Sequence, residues 1–167
     1  MTSDPDTFPV PGYRWYVGSG IDEALVVRTL RRAYRDLGGS DGPHLAETVR
    51  RHLSSRSKLW WVVPDRATGA DWSTIETDPV GCLWLSQAVD QRTGESQAYV
   101  FLVYVDPNHR RKGIGTGLMQ QAHHWARQNG YHTVSLQVFT TNQAALGMYQ
   151  KLGYTPQAIW LTRPSLN

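Results

Sequence analysis

The chain has 167 residues, 40% of them hydrophobic, and a net charge of +3. That length suits one domain with a real core, and so mild a basic excess points to solubility rather than a nucleic-acid surface. The single cysteine, Cys82, excludes an internal disulfide and fits a reducing compartment, and no apolar run reaches the length of a membrane span.

Residues 1–12 carry three prolines and two aspartates, unlike a signal peptide, and read as a disordered tail. Tyr13 to Val17 reads as a first strand. Helical spacing follows from Ile21 to Leu37, with Leu25, Val26, Leu30, Ala33 and Leu37 on one stripe and a stop at Gly38-Gly39. A second helix runs from Pro43 to Leu53, opened by Asp41 and Pro43. Leu59 to Val63 is an apolar strand, and Arg66 to Asp78 a polar loop. Val80 to Ala88 and Ala98 to Val105 make a strand pair around a polar turn from Asp90 to Glu95.

The strand ending at Val105 runs into Asp106-Pro107, then Arg110, Arg111 and Lys112, then glycines at 113, 115 and 117 as a new apolar period begins. Leu118, Ala122, Trp125 and Ala126 carry that period to Gly130. Strand, basic glycine-rich turn and helix form an order suited to a phosphate. A helix N-terminus offers unpaired N–H groups and partial positive charge, and glycine lets a ligand approach them. A Walker loop would need Lys-Ser or Lys-Thr after its glycine, and here Leu118 follows Gly117. A dinucleotide fingerprint would need an acid about 20 residues on, where the chain reads Thr133 to Gln137.

Downstream, Thr133 to Phe139 reads as a strand. A helix from Asn142 to Leu152 then places Asn142, Ala145, Tyr149 and Leu152 on one face, with Gly153 as its stop. A last strand covers about Pro156 to Leu161.

The two blocks VxPxxRxxGIGxxL (Val105 to Leu118) and NxxAxxxYxxLGY (Asn142 to Tyr154) together resemble the GCN5-related N-acetyltransferase (GNAT) family, over roughly a third of the chain. The resemblance implies an α/β fold of one domain, residues 13–167: a mixed central sheet of about six or seven strands, splayed at strands 4 and 5, flanked by about four helices. It implies acetyl-CoA as co-substrate and no metal, with an acetyl group passing to a primary amine by direct attack. That amine could belong to a protein N-terminus, a lysine or a small molecule. The cofactor would be held by Val103 and Val105, by Arg110, Arg111, Lys112, Gly113, Ile114, Gly115 and Thr116, and at its thioester end by Asn142 and Tyr149. Asn142 and Tyr149 are the expected catalytic residues, Tyr149 as the acid that protonates the leaving thiolate. Asn142 is equally suited to capping its helix. The resemblance also admits a homodimer. A cytoplasmic enzyme, with no membrane and no nucleic-acid partner, is the expectation; the alternative is a non-catalytic acyl-CoA-binding regulator or a nucleic-acid-contacting module built on Arg28 to Arg35.

Family members often carry a glutamate as general base where this chain has Tyr99 and Gln137. Glu76, Asp78, Asp90 and Glu95 lie in loops, and His123 and His124 read as solvated. Of the seven tryptophans, Trp72 is the one suited to the rim of an acceptor pocket, the others to core or sheet faces.

Overall fold

A computed structural model describes residues 8–18, 22–65 and 78–163. The chain forms two compact units, residues 1–137 and 138–167. The first holds a sheet of five strands in sequential order: β1 (Tyr13–Val17), β2 (Lys58–Pro64), β3 (Gly81–Val89), β4 (Ser96–Val105) and β5 (Val134–Leu136). The first four are antiparallel, and β5 joins β4 in parallel. Its helices are α1 (Glu23–Asp36), α2 (His44–His52) and α3 (Ile114–Gln128); α4 (Gln143–Lys151) is in the second unit. Trp72, Glu76 and most of the polar loop lie outside the described residues.

Helix ends follow their local signals. Gly38 takes φ +73° after α1, and Gly39 N–H reaches back to Tyr34 O at 2.8 Å. That closes the orphan carbonyls of the last turn. The Asp90 carboxylate accepts from the N–H groups of Arg92 and Thr93, shaping the β3–β4 turn.

The strand count is a correction. Among the described residues there are five strands, not six or seven, and the expected strand from Pro156 to Leu161 joins no ladder. Ile159, Trp160 and Leu161 are 83%, 81% and 85% exposed, so Trp160 is no core residue. An apolar run becomes a strand only when a neighbour takes its hydrogen bonds, and no ladder partner is present there. The strand expected over Thr133 to Phe139 shortens to β5 for the same reason.

The sheet is covered on both faces. Alternation along β2, β3 and β4 sends Leu59, Trp61, Cys82, Trp84, Leu102 and Tyr104 to one face, where they pack with Val26 and Leu30 of α1 and Leu45 and Val49 of α2. The other face receives α3 through Ile114, Leu118, Met119 and Ala122, all buried. The expected tail is described from Phe8, which is itself buried, its ring 5.2 Å from that of Trp15. A Cβ on Gly117 would stand 3.1 Å from Phe8 Cε2 and 3.2 Å from Pro9 Cγ. The third glycine of the turn therefore admits the N-terminal segment, not a phosphate. Gly117→Val should destabilise the fold by about 1–3 kcal/mol through overpacking. Thermal or urea unfolding checks this, and an unchanged midpoint would mean that Phe8 moves aside freely.

Candidate functional site

β4 and the turn after it form the most distinctive local geometry. The β3–β4 register shifts between Trp84 and Leu85, where Trp84 pairs with Leu102 and Leu85 with Val100, leaving Phe101 as the extra residue of a bulge. Hydrogen bonds on either side show what the bulge does. Ala98 N–H donates to Thr133 O toward β5, whereas Asp106 N–H donates to Val80 O toward β3. In a regular strand these two residues, an even number of steps apart, would point to the same side. The bulge reverses the alternation, so the backbone groups of Val103 and Val105 face away from β3. The Val105 carbonyl confirms this by accepting from Arg110 Nε at 2.9 Å. On that side β5 pairs only with Ala98 to Val100. From Phe101 to Val105, no described strand covers the edge of β4, and an extended chain could add there as a strand does.

The turn continues that edge. Asp106 caps a short 3-10 turn, Pro107–His109, by accepting from Asn108 N–H. Arg111 adopts φ +64°, uncommon for a residue with a side chain, and Gly113 caps α3 at φ +88°. No side chain caps α3. Gly117 N–H makes the first intrahelical bond, to Gly113 O, so the N–H groups of Ile114, Gly115 and Thr116 have no acceptor within the helix. Arg111 and Lys112 are exposed beside them. Lys112 Nζ donates to Tyr13 Oη (3.3 Å), and Tyr13 Oη and His109 Nδ1 are 2.8 Å apart. A cavity of about 310 Å³ opens between Pro9 to Pro11 and Lys112, Thr116 and Gln120.

Sequence reading placed nine cofactor residues here, and the structure brings all nine into one strand end, turn and first helical turn. Two are used differently than their side chains suggest. Ile114 points into the core at 1% exposure, leaving only its N–H for a ligand. Arg110 donates through Nη2 to the carboxylate of Asp36 at the end of α1, as well as to Val105 O. Asp36, Tyr13 and His109 were not singled out from sequence; nothing local in the sequence ties α1 or β1 to this turn.

Asn142 and Tyr149 belong to the second unit. Asn142 caps α4, its Oδ1 accepting from Ala145 N–H at 3.2 Å, and its amide hydrogens are not needed for that bond. Gly153, at φ +87°, closes the helix, and Tyr154 N–H returns to Tyr149 O at 3.0 Å. That return sets the two tyrosine rings edge to face, 5.6 Å apart. Burial pushes the Tyr149 phenol up to about 12.

Of the described loop acids, Asp78 and Asp90 are already engaged. Asp78 binds Arg28 and Arg32 on α1, and the hydrogen bond from Arg32 lowers its pKa. Asp90 shapes its own turn. His123 and His124, expected to be solvated, are partly buried, and burial lowers the pKa of His123. Burial raises that of Tyr99. Among the described residues no group of three or more His, Cys, Asp or Glu side chains could hold a metal ion, and no helix is long and apolar enough to cross a membrane.

The model of the acetyltransferase (GNAT) family matches residues 28–154. Human N-acetyltransferase 8 is 27% identical over 110 residues, covering 66% of this chain and 44% of that protein. The chain spans less than half the length of the curated relatives it matches first. Among solved structures, a GCN5-related N-acetyltransferase from Ralstonia eutropha superposes with a TM-score of 0.68 at 20% identity, covering 93% of this chain and all of that one. A predicted acetyltransferase from Clostridium acetobutylicum, solved with acetyl-CoA, gives 0.69 at 16% identity, covering 90% and 95%. These likenesses show that the fold is shared.

Proposed function

Because the chain belongs to the acetyltransferase (GNAT) family, we propose that it moves an acetyl group from acetyl-CoA to a primary amine by direct attack. The observation that carries this reading is the open edge of β4, which leads straight into an uncapped helix N-terminus flanked by Arg111 and Lys112. The pyrophosphate is bound by the N–H groups of Gly113 to Thr116 and by those two cations. The amides of the pantetheine arm pair with Val103 and Val105, and a β4 N–H polarises the thioester carbonyl. Positioning supplies most of the catalysis.

The neutral amine nitrogen attacks the carbonyl carbon and forms the N–C bond. The C–S bond breaks, its electron pair leaves on sulfur, and the proton lost by nitrogen ends on the thiol. In this reading Tyr149 donates to the departing sulfur and Asn142 binds the thioester end. A phenol near 12 is a weaker acid than a thiol near ~8.5, so the donation is coupled to proton loss from the attacking nitrogen. The fully buried Cys82 serves no covalent step, and its lone reduced thiol suits a cytoplasmic enzyme. On α1, Arg28 and Arg32 share the carboxylate of Asp78, which offsets part of the basic charge on which the nucleic-acid alternative rests.

No carboxylate stands at Tyr99 or Gln137, so the rate follows the neutral fraction of the acceptor. An α-amine near 7.8 is about one-seventh neutral at pH 7, a lysine near 10.4 only about 1 in 2,500. A peptide with a free N-terminus should therefore outrun a peptide whose only amine is a lysine, and lysine acetylation should climb about tenfold per pH unit below its pKa. Thiol release across pH 7–9 measures both. A flat lysine profile, with lysine the better substrate at pH 7, would show that a base exists.

A further inference from the structure

We propose that the acceptor is a primary amine joined through a short alkyl link to an aromatic ring, and that it enters over Phe101 from the α1/α2 face of the sheet. This rests on the acetyl-transfer reading above and names the substrate class of the same site. An arm that leaves the glycine turn and runs along β4 from Val105 toward Val103 reaches the end of the open edge at Phe101, because β5 pairs with Val100. The acyl carbon therefore comes to rest beside the bulge. The opposite face is closed there: Ile114, Leu118, Met119 and Ala122 of α3 are 0–1% exposed against the sheet. An attacking amine must come from the side of α1 and α2.

That side is lined with rings. The bulge turns Phe101 toward the same face as Tyr99 and Leu102. Its ring stacks on Trp84 with centroids 4.8 Å apart and an interplanar angle of 22°. Tyr99 meets it edge-on at 4.9 Å, and the exposed His52 of α2 lies at 5.0 Å. Phe101 and Tyr99 are only half-buried, so aromatic surface remains for a ligand. None of the described side chains of this patch is a carboxylate. A polycationic acceptor would find no counter-charge among these residues, whereas an aromatic ring finds offset and edge-on partners.

The test is acetyl transfer by the full chain to phenethylamine, tyramine, a peptide beginning with Phe, hexylamine and spermidine, each kcat/KM divided by the neutral fraction of the amine. Phenethylamine or tyramine should exceed hexylamine by about tenfold or more, the scale on which an apolar pocket discriminates, and spermidine by more still. The peptide against the free amines tells which source of the aromatic amine is used. Phe101→Leu should collapse the aromatic-to-hexylamine ratio toward one, and Tyr99→Leu serves the same purpose should that variant fold poorly. Efficient acetylation without aromatic preference, or with spermidine best, overturns the substrate class and leaves acetyl transfer standing. No transfer to any amine overturns the transfer reading, and this inference with it.

Discussion

Gly115→Asp is expected to abolish measurable acetyl-CoA binding while the fold survives. Gly115 lies in the first turn of α3, two residues after the left-handed Gly113 cap and next to the inward-pointing Ile114. A carboxylate at a helix N-terminus is favourable to the helix by about 0.3–1 kcal/mol, so the substitution does not act by unfolding α3. It acts on the ligand. The new side chain occupies the approach to the free N–H groups, and its charge opposes the pyrophosphate at a place otherwise favourable to an anion by up to ~2 kcal/mol. An affinity loss of about 10²-fold or more follows from losing that attraction and adding repulsion. Calorimetric titration with acetyl-CoA, beside a melting curve, separates the two effects. Unchanged affinity in a folded variant would remove the phosphate from this turn.

Tyr149→Phe is expected to lower turnover by roughly 10²-fold while the dissociation constant of acetyl-CoA stays nearly the same. The substitution keeps the ring, and with it the edge-to-face contact with Tyr154. What disappears is one hydroxyl, and burial holds that hydroxyl protonated far above neutral pH, in the form that donates to a departing thiolate. Pre-steady-state kinetics with a good amine would show the loss in the transfer step. Turnover within about twofold of the parent would make Tyr149 a packing residue. The same variant should leave any pH dependence below pH 9 untouched, because a phenol near 12 does not titrate there.

The local features of this protein were legible in its sequence because local chemistry decides them. Gly38, Gly113 and Gly153 end or begin helices since each takes a positive φ that glycine adopts without strain, and Asn142 caps α4 through an acceptor three residues away. The strand, glycine turn and helix could be read for the same reason: they lie within about twenty consecutive positions, and their local geometry needs no distant partner.

Pairing across the fold was decided elsewhere. The bulge at Phe101, which aims Val103 and Val105 at the open edge, exists only in the register between β3 and β4. Arg110, expected from sequence to bind the cofactor, also pairs with Asp36, far away in sequence. Gly117 looked like a third phosphate glycine, and its neighbour is Phe8 from the expected tail. The strand expected over Pro156 to Leu161 has the composition for β structure but no ladder. Sequence sets what each segment prefers within a few residues, through φ, capping and periodicity. Which edge stays open, which charge is already matched and which apolar run gains a partner depend on contacts between segments far apart in the chain, and only the tertiary structure brings those together.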